Sequence, residues 1–98
     1  MVRRFMKQYT VKFSDEAEED KEKLRKSGDK QAMKKLNKLI NELREHPTTG
    51  TGHPERLKHY MGEVWSRHIN DKHRLVYEIF EDYIMVEVTQ AHGHYDDK

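Results

Sequence analysis

The chain has 98 residues, of which 34% are apolar and 38% charged, so it can bury one modest core and has no run apolar enough to span a bilayer. Nineteen Lys and Arg face eighteen Asp and Glu, a net charge of +1, so any basic face must come from segregation of charge and not from excess. The lack of cysteine excludes disulfides and thiolate metal sites, and with no signal-peptide apolar segment the expectation is a soluble, cytoplasmic protein in a single domain spanning 1–98.

Residues 1–7 read as a basic lead-in. Tyr9, Val11 and Phe13 alternate with polar neighbours, the pattern of a short half-buried strand. Ser14 is placed to cap a helix that opens on Asp15, Glu16, Glu18 and Glu19 and closes on Lys23, Arg25 and Lys26, with Ser27-Gly28 as the stop. Asp29 caps a second helix, whose Ala32, Met33, Leu36, Leu39, Ile40 and Leu43 form a continuous apolar stripe. Lys30, Lys34, Lys35 and Lys38 lie mainly off it, either as a solvated face or as a contact for RNA phosphates. His46-Pro47 is the expected helix boundary.

Residues 47–56 read as a loop whose glycines do not match a phosphate-cradling motif, because no Gly-Lys-Ser/Thr follows. Strands are expected over 64–69, 73–80 and 84–88, the first two joined through Asn70-Asp71-Lys72. The fold class is α+β: a small antiparallel sheet of about four strands, with two N-terminal helices packed on one face. A hairpin centred on Asp71 pairs His68 with Arg74 on the open face and sends Trp65, Ile69, Leu75, Tyr77 and Ile79 toward the helices. The same register sends Arg67 to the apolar face, where it is expected to reach for the edge.

Seven histidines invite a metal reading, but no His-Glu-x-x-His pattern occurs, and no metal or other cofactor is expected. Ser66 lacks the turn of an activated nucleophile. Metal-free phosphodiester cleavage fits the residue types better. RNA supplies its own 2′-OH nucleophile, so a base, an acid and cations suffice, and Glu, His, Arg and Lys crowd residues 50–77.

Three segments carry a family resemblance: Gly-Thr-Gly-His-Pro-Glu-Arg-Leu-Lys-His over 50–59, Gly-Glu-Val-Trp-Ser-Arg over 62–67, and His-Arg-Leu-Val-Tyr over 73–77. With the ending His94-Tyr95, they closely resemble the Txe/YoeB branch of the RelE toxin superfamily across most of residues 8–95. The resemblance implies a RelE-like fold and the toxin of a type II toxin–antitoxin pair, a ribosome-dependent endonuclease that cuts mRNA in the 30S A site. It implies Glu55 as general base, His94 as general acid, Arg74 on the scissile phosphate, and Lys58 and Tyr95 as substrate contacts. A cognate antitoxin of the YefM/Axe type is the expected partner, with monomer and homodimer both open. A non-catalytic relative that binds only an antitoxin or operator complex is the alternative.

Two departures bear on mechanism. His68 stands where the family pattern commonly has a second arginine, which lowers the fixed charge beside the substrate and introduces a group that titrates near neutrality. Asp96-Asp97-Lys98 follow His-Tyr as a tail; two carboxylates beside His94 would raise its pKa, and His92 is the alternative acid.

Overall fold

The computed structural model describes residues 8–93; the lead-in and the segment beginning at His94 lie outside the described residues. β1 (Thr10–Phe13) runs into Ser14, whose Oγ accepts the Ala17 N–H at 3.1 Å and starts α1 (Asp15–Lys26). Acids in its first turn and bases in its last oppose the helix dipole. Its contact with the core rests on Ala17 and Leu24, both fully buried. Gly28, at φ +80°, reverses the chain. Asp29 then accepts the Ala32 N–H at 3.0 Å to cap α2 (Lys30–Leu43); such a cap contributes about 1 kcal/mol.

The helical spacing of Ala32, Leu36, Leu39, Ile40 and Leu43 puts all five into the core. α2 ends at Leu43, before the expected His46-Pro47 boundary. Its last turn tightens through an Arg44 N–H to Asn41 carbonyl bond of 3.3 Å, the usual fraying into a 3₁₀ turn.

The sheet corrects the expectation in two respects. It has five strands, and it is mixed. β2 (Glu55–Arg56), β3 (Glu63–His68), β4 (Arg74–Phe80) and β5 (Met85–Gln90) join β1 in the order β1-β5-β4-β3-β2. β1 lies parallel to β5, whereas the other pairs are antiparallel. β2 falls inside the expected loop because two residues carry no alternation; only its pairing with β3 makes it a strand. β5 begins at Met85, not at Ile84. Ile84 closes a 3₁₀ turn (Glu81–Tyr83) with φ +48°, and a left-handed residue cannot extend a strand.

The β3–β4 register pairs His68 with Arg74 and Trp65 with Tyr77, as expected. Ile69, Leu75, Tyr77, Ile79, Val86 and Val88 face the helices and form the main core with Leu24, Leu36, Leu39 and Leu43. The opposite face is not wholly polar: Leu57, Val64 and Val76 make a second, small apolar cluster. It pins the segment after β2 to the sheet, with the Leu57 N–H bonded to the Val64 carbonyl at 2.8 Å.

Arg67 departs most from expectation. It does not reach the edge but lies fully buried on the helix side of β3. Its guanidinium makes five hydrogen bonds: to Tyr77 Oη at 3.0 Å, Glu42 Oε1 at 2.6 Å, and the carbonyls of Thr51, His46 and Thr49 at 3.2, 2.8 and 2.7 Å. A buried charge is tolerated when it is paired and its donors are satisfied, and here the loop after α2 supplies the acceptors.

Candidate functional site

The buried knot around Arg67 determines where the loop can go. Glu42 accepts the Thr51 N–H and hydroxyl at 2.8 and 2.7 Å, and Tyr77 Oη donates to the Pro47 carbonyl at 2.6 Å. The loop then docks on β3 through the Gly52 carbonyl, which accepts the His68 N–H at 2.7 Å. Gly52 sits at φ +86°, and a Cβ there would fall 2.8 Å from the His68 carbonyl oxygen; the close approach requires glycine. Pro54 then leads directly into β2.

β2 places Glu55 opposite Ser66, on the face of the sheet that carries His68 and Arg74. Same-face positions one step along an adjacent strand lie roughly 7–8 Å apart, so Glu55 and His68 are diagonal neighbours. Glu55 is exposed, whereas His68 and Arg74 are half-buried. His53, in a left-handed conformation at φ +54°, sets its ring edge-on to His68 with centroids 5.9 Å apart.

The electrostatics follow from this crowding. Burial depresses the His68 pKa first, and the Arg74 guanidinium and His53 add to the effect; the Glu55 carboxylate opposes them, and Lys35 lowers it further. His68 is therefore neutral at pH 7, a hydrogen-bonding group and not a cation. The site presents an exposed carboxylate, a neutral imidazole and a guanidinium on one open surface. Such a set can accept a proton from a hydroxyl and hold an anion beside it.

Lys58 is exposed in the turn after β2, where it lines a separate depression of about 300 Å³ with Arg56, Leu57 and Tyr60. His94 and Tyr95 lie outside the described residues. Two features have no signal in the sequence. His53 belongs to the 50–59 motif and to the histidines that invite a metal reading, but nothing in the pattern marks its contact with His68. His73 belongs to a matched motif, yet its bond to Gly93, 2.8 Å from Nδ1 to the backbone N–H, is a long-range contact.

Comparison with known proteins bears on the fold and the family. The model of the family described as "YoeB-like toxin of bacterial type II toxin-antitoxin system" matches residues 13–95. Toxin YoeB of Escherichia coli K12 is 42% identical over 64 residues, which cover 65% of this chain and 76% of that protein. Among solved structures, a YoeB/ParE toxin from Agrobacterium tumefaciens superposes with a TM-score of 0.79 at 32% identity, covering 88% of this chain and 99% of that one. The heterotetrameric YoeB–YefM toxin–antitoxin complex from Staphylococcus aureus gives 0.73 at 32% identity, covering 90% and 99%. The α+β arrangement of two helices on a five-stranded mixed sheet matches these neighbours. The chain belongs to the YoeB-like toxin family of bacterial type II toxin–antitoxin systems.

Proposed function

We propose that this toxin is a ribosome-dependent endoribonuclease that cuts mRNA in the A site. The observation that carries the reading is the meeting of Glu55, His68 and Arg74 on one open sheet face. Glu55 takes the proton from the 2′-OH, and the freed oxygen attacks the adjacent phosphorus. Arg74 neutralises the charge that gathers on the non-bridging oxygens. The P–O5′ bond breaks as His94 gives its proton to the leaving oxygen, leaving a 2′,3′-cyclic phosphate and a 5′-OH. Lys58 adds positive charge at the flank, His68 hydrogen-bonds the substrate, and Tyr95 stacks on a base. No metal has a role in these steps.

So sparse a site on a surface this open favours a substrate oriented by something larger, and the ribosome fills that role. The lysines of α2 support the same partner. Lys30, Lys34 and Lys38 are exposed, and among the described residues none of the α2 lysines has an ion-pair partner. They offer one sign of charge to ribosomal RNA phosphates. The protein partner is a YefM-like antitoxin, as in the Staphylococcus aureus complex, and a homodimer is the second assembly open to it. The compartment is the cytoplasm, where translation runs.

The test is induction in a bacterium with mapping of RNA ends on ribosomes. Expected are growth arrest and cuts at A-site codons, both abolished in Glu55→Ala and His94→Ala while folding persists. Undiminished cutting in both variants would sink the mechanism. Stable expression without a partner, without arrest and without cuts would favour a non-catalytic, antitoxin-binding relative.

A further inference from the structure

His53 stands two residues before Glu55, and none of the chemistry above uses it. Its backbone lies in the left-handed region at φ +54°, which strains a residue that carries a Cβ. Pro54 adds to the cost, since a residue before proline prefers extended backbone. Local sequence therefore does not choose this conformation; the docking on either side imposes it. On one side the Gly52 carbonyl accepts the His68 N–H at 2.7 Å, and on the other Glu55 is paired with Ser66.

The outcome is an exposed imidazole that meets the His68 ring with centroids 5.9 Å apart and planes at 78°. A ring met at so steep an angle keeps at least one face clear of its neighbour. Among the described residues, no group of three His, Asp or Glu could hold a metal, so the pair does not read as a ligand set. The exposed tyrosines of the described residues lie elsewhere. Tyr60 lines the depression beside Lys58, and Tyr83 sits in the turn at the far end of β4 from Arg74.

We propose that His53 is a stacking platform for the base of the nucleotide whose 2′-OH attacks. The inference rests on the reading of Glu55 as the group that takes that proton. The nucleobase hangs from C1′, the carbon next to the one that bears the 2′-OH, so it lies close to whatever Glu55 touches. His53 offers a ring there, on the face that carries His68 and Arg74. Splayed RNA bases stack on histidine as they do on phenylalanine and tyrosine, and such stacking tolerates any base. Glu55 then meets the hydroxyl, Arg74 the phosphate and His53 the base.

The experiment is a cycle between His53 and that base on mRNA-programmed ribosomes. One message carries the base, and a second has an abasic ribose at the same nucleotide. Versions of both with 2′-deoxyribose there cannot be cut and report affinity. His53→Asn removes the ring yet suits a left-handed backbone, whereas His53→Phe keeps a ring without the imidazole nitrogens. With wild type, removing the base lowers affinity and kcat/KM about tenfold. His53→Asn shows that loss on the intact message and almost none further on the abasic one, with Tm level or higher. His53→Phe restores most of the dependence on the base. Equal penalties for base removal in wild type and His53→Asn would overturn the proposal. So would unchanged affinity and rate in His53→Asn, or a folded His53→Phe that recovers nothing. Should His53→Phe not fold, the His53→Asn cycle decides alone. A wild type that cuts no RNA would instead strike the functional reading, while affinity for the 2′-deoxy messages still measures the stack.

Discussion

Arg67 Nη1 meets Glu42 Oε1 at 2.6 Å, joining the end of β3 to the end of α2. Arg67 is fully buried and the Glu42 side chain nearly so, at 16% exposure. Breaking one member of such a pair leaves a buried charge uncompensated, a cost of about 3–5 kcal/mol. Glu42→Gln is expected to lower unfolding stability by about 3 kcal/mol in a urea titration. Arg67→Lys should cost a comparable amount, because an ammonium cannot reproduce the five-donor fork.

The same pair predicts how acid unfolds the protein. Burial raises the Glu42 pKa, but the Thr51 hydroxyl and amide and the Arg67 guanidinium outweigh it, and the net shift is downward. A carboxylate depressed in the folded state stabilises above its unfolded pKa, and that contribution is lost as pH falls through the folded value. Stability measured by denaturant titration should decline below about pH 4.5 in wild type, with a shallower decline in Glu42→Gln.

Arg74 and Glu55 should separate cleanly from folding. Glu55 is exposed and contributes nothing to either core. Arg74→Lys keeps the charge but loses the planar fork suited to phosphate. Cleavage on ribosomes should fall roughly 10²–10³-fold in Arg74→Ala and by less in Arg74→Lys, with Tm held in the lysine variant. A lysine variant as inactive as the alanine one would show that the fork, and not the charge, is what matters.

His68 should make substrate binding depend on pH. Its pKa is lowered, chiefly by burial and then by Arg74. It is therefore neutral at pH 7 and gains charge only as pH falls through a value below the ordinary 6.5. Affinity for ribosomes is expected to rise on acidification in wild type and to stay level in His68→Asn. The same charging costs stability: the neutral form's contribution is present above the unfolded pKa and disappears as pH falls through the folded one.

The α2 lysines should appear in salt dependence and not in chemistry. Replacing Lys30, Lys34 and Lys38 with Gln leaves up to three phosphates without a protein cation, and the slope of log affinity against log salt should shrink by about 0.7–0.9 for each of them. Cleavage within a saturated ribosome complex should not change. An unaltered slope would assign these lysines to solvation alone.

Ile84 offers a stabilising change. A β-branched residue at φ +48° pays about 1–2 kcal/mol that asparagine largely avoids, and its side chain is partly exposed, at 39%. Ile84→Asn should raise stability by up to about 1 kcal/mol in the same urea titration.

Local chemistry made much of this protein legible from its sequence. Ser14 and Asp29 cap helices through hydrogen bonds to residues three positions on, the α2 stripe repeats at helical spacing, and the turn at 70–72 sets the His68–Arg74 register. Each of these depends on neighbours in the chain. The tertiary structure alone decided what depends on distant partners. β2 exists because β3 pairs with it, β1 runs parallel to β5 through a crossover that no pattern orients, and Arg67 stays buried because a loop brings it three carbonyls. The site divides in the same way. Motifs mark Glu55 and Arg74 as candidates, but their shared face follows from long-range strand pairing. The contacts of His53 with His68 and of His73 with Gly93 are likewise made by segments that meet only after folding.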